Sequence, residues 1–549
     1  MNFPKIKFEH IFLIIFLALM LTTGIANLWN KQITHDRPYS YLAGDTFQHW
    51  VRTEGIKDAG NYRNRASFQT YGYDDVIGDY PPLLFHLSII FSNVSGLPTY
   101  DAILFLIFLT AILATLIIYF ILKDFNKHIA IISLPFSLLI FSGASYTGFT
   151  WGHWPSLLAQ FYLIAVLWSI KNIDLKKSYL LIAAFFTATI LAHTSEAIMG
   201  FFFIIFYLAI MFWHKNKPKE KFFTFLKAGI LSFILSLWYL IIFKGTWTHN
   251  QGYEFSIITS TGGSPSVQFA DYGIFAFIII IGFILSLLLL KQKKNQLPII
   301  SSIFFLIMGY TNYIGFHSRA FQIRYFWPIY LCFFIGLIFY TIPKKFLKWN
   351  IMYSYIIAFV LLALFANLGN VSASIPNVPF YEKLSSPGMM DPYHWEAYSW
   401  MHENSPKDAK VLFLYGDQFS QTNYLLSVKR VPYKVDPQDF FTTLQNPQPE
   451  REFIINIYGD NVNSYPYWKS FLSFGYYLDE TTEFEHGLKH DICNFDYYIY
   501  DKASFINQEF PIFNNAITTI FKNHGMKELF ANQLVGIIFN PKPGEDCVG

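Results

Sequence analysis

Hydrophobic residues in this chain gather into long, almost uncharged runs, with polar residues confined to the gaps between them. Eleven such runs, at 11–29, 102–122, 129–145, 154–170, 179–193, 197–213, 222–243, 272–290, 297–316, 326–342 and 351–368, read as helices that cross a bilayer. The pattern stops near residue 371. Pro and Asp enter in SIPNVPFYEKLSSPGMMDPYHW, which reads as a linker over 371–393. Beyond it, EAYSWMHENSPKD predicts an amphipathic helix ended by Ser405-Pro406. KVLFLYG, YLLSVKRVPY and FDYYIYDK predict three strands. FNNAITTIFKNHG predicts a helix closed by Gly525, and KELFANQLVGIIFNP a closing hairpin. The expected fold is therefore an α-helical polytopic membrane domain over 1–370, with about eleven transmembrane helices, followed by an α/β domain over 394–549.

The loops fix an orientation. Lys5 and Lys7 precede the first run. Lys123/Lys127, Lys171/Lys176/Lys177, Lys215/Lys217/Lys219/Lys221, Lys291/Lys293/Lys294 and Lys344/Lys345/Lys348 fill every second loop after it. The loops around 143–153, 193–196 and 245–271 carry no Lys or Arg. Basic residues stay on the cytoplasmic side. This predicts an integral membrane protein with a cytoplasmic N-terminus. The long loop 31–101 and the C-terminal domain then lie outside the cell membrane. The first run is too long for a cleaved signal and reads as a signal anchor.

Charged residues make up 14% of the 549-residue chain, against about 25% in a soluble protein. The net charge of +3 belongs to the loop pattern and gives no footprint for nucleic acid. Cys332 falls in an apolar run, and Cys493 and Cys547 in the C-terminal domain. In an extracytoplasmic domain those two can pair; two free thiols are the equal alternative.

The densest polar chemistry lies at 41–90. In GDTFQHWVR, Asp45, His49 and Arg52 are spaced i, i+4, i+7, one face of a helix. Asp45 also suits a plain helix cap. A second acidic group, Asp74, Asp75 and Asp79, precedes Tyr80-Pro81-Pro82 and the short apolar stretch LLFHLSIIFSNVSG, which reads as interfacial.

A first span, a long outer loop with an early Asp, a YPPL segment, many further spans and a final α/β domain resemble the GT-C glycosyltransferase superfamily. That superfamily includes oligosaccharyltransferase catalytic subunits, protein O-mannosyltransferases and aminoarabinose transferases. AYSWMHENSPKDAKV is similar to the W-L-x-x-N-[ST]-P-x-D segment of archaeal and bacterial members. The resemblance implies a polyprenyl-phosphate-linked sugar as donor and transfer at the outer face to a lipid, glycan or protein acceptor. It also implies an acidic residue of the first loop beside the acceptor: Asp45, with Asp79 next. Some members use a divalent metal, so Mg or Mn with Asp45, Asp79 and Glu196 as ligands stays open. LFLYGDQFS stands where oligosaccharyltransferases carry W-W-D-Y-G, which argues against transfer of a whole oligosaccharide to asparagine.

The residues support such chemistry independently. Glycosyl transfer needs a carboxylate for the acceptor proton and cations for the departing phosphate. Arg319 and Arg324 break the orientation pattern by sitting at the outer end of a span, and Lys244 lies at a similar depth. Trp151 and His153 offer an aromatic and polar rim for a sugar; an interfacial aromatic belt is the plain reading for the Trp. His193 and Glu196, three apart at a very short outer turn, form an ionisable pair at membrane depth. The competing classes are an oligosaccharyltransferase or glycan polymerase of the same fold, a transporter or flippase of lipid-linked sugars, and a non-catalytic scaffold. No inverted repeat or paired broken spans favour transport.

Overall fold

The computed structural model describes residues 8–29, 33–42, 44–61, 66, 68, 80–249, 268–291, 296–315, 321–365, 390–414, 428–435, 437–445, 452–454, 456–457, 489–502 and 509–547. The described residues of each of the eleven apolar runs are largely helical. They form α1 (Phe8–Leu28), α4 (Thr99–Phe125), α5 (Lys127–Ser133) with its 3-10 continuation, α7 (Trp154–Lys171), α8 (Ser178–Ala192) and α9 (Thr194–His214). The rest form α10 (Pro218–His249), α12 (Phe275–Leu289), α13 (Leu297–Met308), α14 (Trp327–Thr341) and α15 (Ile351–Phe365). Among the described residues, five helices are long and apolar enough to cross a membrane: Glu9–Leu28, Thr99–Phe125, Thr194–His214, Pro218–Ile242 and Trp327–Phe346. Shorter helices lie between them: α2 (Gly44–Ala59), α3 (Leu83–Ser95), α6 (Gly143–Thr150) and α11 (Phe269–Tyr272).

Local signals explain the breaks. The Asn126 side chain accepts from the backbone N–H groups of His128 and Ile129 and so starts α5. At Leu134-Pro135 the backbone narrows into an eight-residue 3-10 helix, Leu134–Phe141, because proline cannot donate to the α-helical ladder. His193 adopts an extended backbone between α8 and α9. In α14 every residue but Tyr340 is buried, which makes it the central pillar. The chain ends of the bundle are pinned as well: Lys123 at the end of α4 meets Glu9 of α1 at 3.2 Å.

The C-terminal region is an α/β unit. Helix α16 (Pro392–Asn404) leads into β1 (Val411–Leu414), β2 (Pro432–Val435), β3 (Glu452–Ile454), β4 (Asn456–Ile457), β5 (Lys489–Asp491), β6 (Tyr497–Asp501), β7 (Lys527–Ala531) and β8 (Val535–Phe539). The main sheet runs β4-β2-β1-β6-β8-β7, with β1 parallel to both β2 and β6. The first, third and hairpin strands fall where the sequence places them. The second does not: β2 begins at Pro432, at the end of YLLSVKRVPY, and residues 415–427 lie outside the described set. Cys493 and Cys547 form a disulfide with Cα atoms 5.5 Å apart, which decides between the two thiol alternatives.

A candidate transfer site around the first turn of α2

The segment leaving α1 is fastened before it reaches α2. The His35 amide donates to Asp101 Oδ2 at 2.9 Å, the Tyr100 hydroxyl donates to the His35 carbonyl at 2.7 Å, and the Tyr41 hydroxyl to the Tyr100 carbonyl at 2.9 Å. The Leu42 amide then donates to the Thr150 carbonyl at 2.8 Å. These bonds deliver Asp45 to the first turn of α2, where a carboxylate meets the positive end of the helix. Asp45 is exposed, while Thr46, Phe47, His49 and Trp50 behind it are buried. His49 packs 5.5 Å from the Tyr80 ring and 6.1 Å from Trp154, and the Arg52 guanidinium lies 4.4 Å over Tyr80.

The loop before α7 comes to this turn. Gly152, at φ +82°, approaches so closely that a Cβ there would lie 2.5 Å from the Thr46 nitrogen and 2.6 Å from the Asp45 carbonyl carbon. Glycine alone fits this place. Trp154 closes the loop by donating from Nε1 to the Phe149 carbonyl at 2.6 Å. Trp151 is exposed, and His153 stacks on Tyr325 with ring centres 4.5 Å apart.

On Tyr325 also rests Arg324, its guanidinium 4.7 Å from the ring centre. Nη2 donates to the Tyr325 hydroxyl at 2.5 Å and to Gln322 Oε1 at 3.4 Å. Its Nε is buried and makes no hydrogen bond among the described residues, and no described carboxylate pairs with it. The Ser145 hydroxyl holds the Arg324 carbonyl at 2.9 Å.

Glu196 and His193 join from below. Glu196 is 1% exposed; its carboxylate accepts from the Ser156 hydroxyl and pairs with the His193 ring. Gln160 Nε2 donates to Ser156 Oγ at 3.1 Å, to Glu196 Oε1 at 3.4 Å and to the Gln322 carbonyl at 2.9 Å. The buried pair thus anchors the backbone two residues before Arg324. An open apolar cavity of about 330 Å³ lies nearby, lined by Tyr272, Ile279, Phe283, Ile307 and Tyr310. The Tyr272 ring meets Trp327, at the head of α14, edge-on at 5.0 Å.

Of the residues singled out in the sequence, the Asp45 turn lies against Gly152 beside His153, His153 and Arg324 share the Tyr325 ring, and the His193–Glu196 pair reaches the backbone before Arg324 through Gln160. Asp79 and Arg319 lie outside the described residues, and so does the Lys244 side chain, although its backbone belongs to α10. Tyr325, Gln160, Ser156 and Gly152 were missed. Gln160 carried a signal, as a lone amide in an apolar span. Tyr325 carried a weaker one, as the ring beside an arginine that breaks the Lys/Arg pattern. Among the described residues no group of three or more His, Cys, Asp or Glu gathers as a metal cluster.

No family model matches the sequence, and no curated protein matches it. Solved structures do match. The oligosaccharyltransferase of Archaeoglobus fulgidus, in its apo form, superposes with a TM-score of 0.56 at 13% identity over 78% of this chain and 64% of its own. The chain therefore spans less than two thirds of that protein. The same organism's AglB, in complex with an inhibitory peptide and a dolichol-phosphate, gives 0.54 at 11% identity over 90% of this chain and 70% of its own. ArnT from Cupriavidus metallidurans bound to undecaprenyl phosphate gives 0.53 at 9% identity, over 98% of both chains. The chain has the GT-C fold of these membrane enzymes.

Proposed function

We propose that this protein is a GT-C glycosyltransferase that moves a sugar from a polyprenyl-phosphate-linked donor to a lipid, glycan or protein acceptor at the outer face of the membrane. One observation carries the reading: Arg324, a cation with no carboxylate partner among the described residues, sits just ahead of α14 and shares Tyr325 with the loop that touches the Asp45 turn. A guanidinium at the end of an apolar helix favours an anionic partner. The Lys pattern of the loops and the Cys493–Cys547 disulfide both support an outward-facing C-terminal domain.

In this reading the Asp45 carboxylate takes the proton of an acceptor hydroxyl as its oxygen bonds to the anomeric carbon. The bond from that carbon to the phosphate oxygen breaks, and the electron pair leaves with the polyprenyl phosphate. Arg324 balances the growing charge, with Arg319 and Lys244 as further cations. His153, Trp151, His49 and His193 border the sugar, and Asp79 is the second acidic candidate. The apolar cavity beside Trp327 has the chemistry of a prenyl tail. Glu196 already receives hydrogen bonds from Ser156, Gln160 and His193, so it suits anchoring better than metal ligation. A bound Mg or Mn would add positive charge beside the phosphate, and Asp45 and Asp79 are the oxygen donors left to hold it.

The test uses purified full-length protein, undecaprenyl phosphate as probe, and a panel of labelled polyprenyl-phosphate sugars. Arg324→Met should weaken binding of undecaprenyl phosphate about 10- to 100-fold, the loss of a charge-assisted contact of about 1.5–3 kcal/mol. Asp45→Asn should keep that binding and lose transfer about 10²- to 10⁴-fold. A folded Asp45→Asn protein with undiminished transfer would refute the assignment.

A further inference from the structure

The C-terminal unit rests on α2 itself, at the end remote from Asp45. Glu54 and Asp58 lie one turn apart on the helix and share a face. Lys429 reaches between them, 2.7 Å from Glu54 Oε2 and 2.8 Å from Asp58 Oδ2. Glu54 also accepts from the Thr99 hydroxyl, and Thr99 Oγ1 in turn accepts from Trp50 Nε1 at 3.0 Å. One turn back along α2, the Trp50 ring packs 5.8 Å from Trp395 of α16, with Tyr100 of α4 closing the group.

The backbone of Lys429 is in the left-handed region, φ +56°, without being glycine. That conformation costs about 1–2 kcal/mol and persists only where the surroundings force it. Arg430 supplies the force. It is 2% exposed and donates to the Ser405 carbonyl at 2.6 Å, the His402 carbonyl at 3.3 Å and the Lys429 carbonyl at 2.9 Å. The two neighbouring cations thus point opposite ways, Arg430 into the end of α16 and Lys429 into α2. Mere attachment does not call for this, since the aromatic contact already provides it and simple ion pairs contribute little.

We infer that Lys429 is a positioning residue: the C-terminal unit sets the placement of α2, and through it of Asp45, by this two-carboxylate latch. The role of Asp45 rests on the function proposed above; the latch does not. Burial alone would raise the Glu54 carboxyl, but Lys429, with the Thr99 hydroxyl and Lys57, holds it below the usual carboxylate range. From Glu54 to Asp45 is nine residues, about 13 Å along a rigid helix.

Hydrogen exchange of the full chain in detergent reads the latch without any substrate. Lys429→Met should speed exchange across 45–53 by about tenfold or more, while β1 and β6 keep wild-type protection. Lys429→Arg should stay within about twofold of wild type. Glu54→Gln with Asp58→Asn should reproduce the effect from the other side, should Lys429→Met fail to fold. In a transfer assay Lys429→Met and the Glu54→Gln/Asp58→Asn double variant should lower kcat and leave KM for the donor unchanged. Unchanged exchange over 45–53, or a rise confined to 54–59, overturns the inference. Faster exchange in a protein that transfers no sugar would sink the functional reading and leave the latch standing.

Discussion

Gly152→Ala isolates the contact between the loop before α7 and the Asp45 turn. The added Cβ would sit 2.5 Å from the Thr46 nitrogen, where ordinary contact begins at 3.4 Å, a shortfall of 0.9 Å. The three nearest atoms, Thr46 N, Asp45 C and Thr46 Cα, are all backbone, so no side chain can rotate away. Either the first turn of α2 moves by roughly 1 Å or the loop opens by as much. The φ of +82° adds about 1–2 kcal/mol of conformational strain for alanine. A displacement of about 1 Å at a reacting group costs on the order of 10² in rate. Turnover of a polyprenyl-phosphate sugar should therefore fall about 100-fold, with undecaprenyl phosphate binding within about threefold of wild type. Gly143→Ala is the matched control: it also sits at positive φ, +52°, but its Cβ would meet nothing within 4 Å. If the two variants turn over alike, the close approach has no bearing on the site.

Two further outcomes concern the C-terminal unit. His394 is buried between Asp391 (2.5 Å to Nδ1) and Asp501 (2.9 Å to Nε2); burial would lower its pKa, but the two carboxylates raise it to about 10. A raised folded pKa gives stability that is complete below about pH 6.5 and lost as pH climbs through about 10. The melting difference between wild type and His394→Gln should shrink across that window and vanish above it; a difference constant from pH 6 to 11 would contradict the charged pair. The Cys493–Cys547 bond closes a loop over a separation of 54 residues, worth about 4 kcal/mol by chain entropy. Cys547→Ser should make β6 and β8 exchange their amides markedly faster, and equal protection would mean that the bridge does not hold the sheet.

Much of the fold was legible because the membrane imposes it. A bilayer leaves no alternative for uncharged runs such as 102–122 or 326–342, and the described residues of all eleven are largely helical. The strand at β2 was misplaced because YLLSVKRVPY mixes two charged residues into an apolar run, and Arg430 is spent on the carbonyls of α16 rather than on a strand face. Asp45 stood out as an early acidic residue of the first outer loop, His153 as a polar residue among outer aromatics, and Arg324 as a break in the Lys/Arg pattern. The link between their segments did not, because it depends on what glycine lacks at 152 and on a buried Tyr325 that any apolar pattern absorbs. Nothing in the sequence marks Lys429; only the fold brings it to Glu54, 375 positions earlier by number.

The 3-10 stretch Leu134–Phe141 changes how far the third apolar run can reach. Seven residues of α5 rise about 10 Å, and eight residues at 3-10 pitch about 16 Å, so the run covers roughly 26 Å instead of the roughly 22 Å of a uniform α-helix. Fifteen residues thereby come close to the thickness of the hydrocarbon layer without any lengthening of the gene. The stretch also acts as a ruler for α6 and the loop beyond it. Were Pro135 replaced so that the wider helix continued, the hinge at Ser142 would be drawn about 4 Å toward the interior of the bilayer, and the loop carrying Gly152 would lose its purchase on α2.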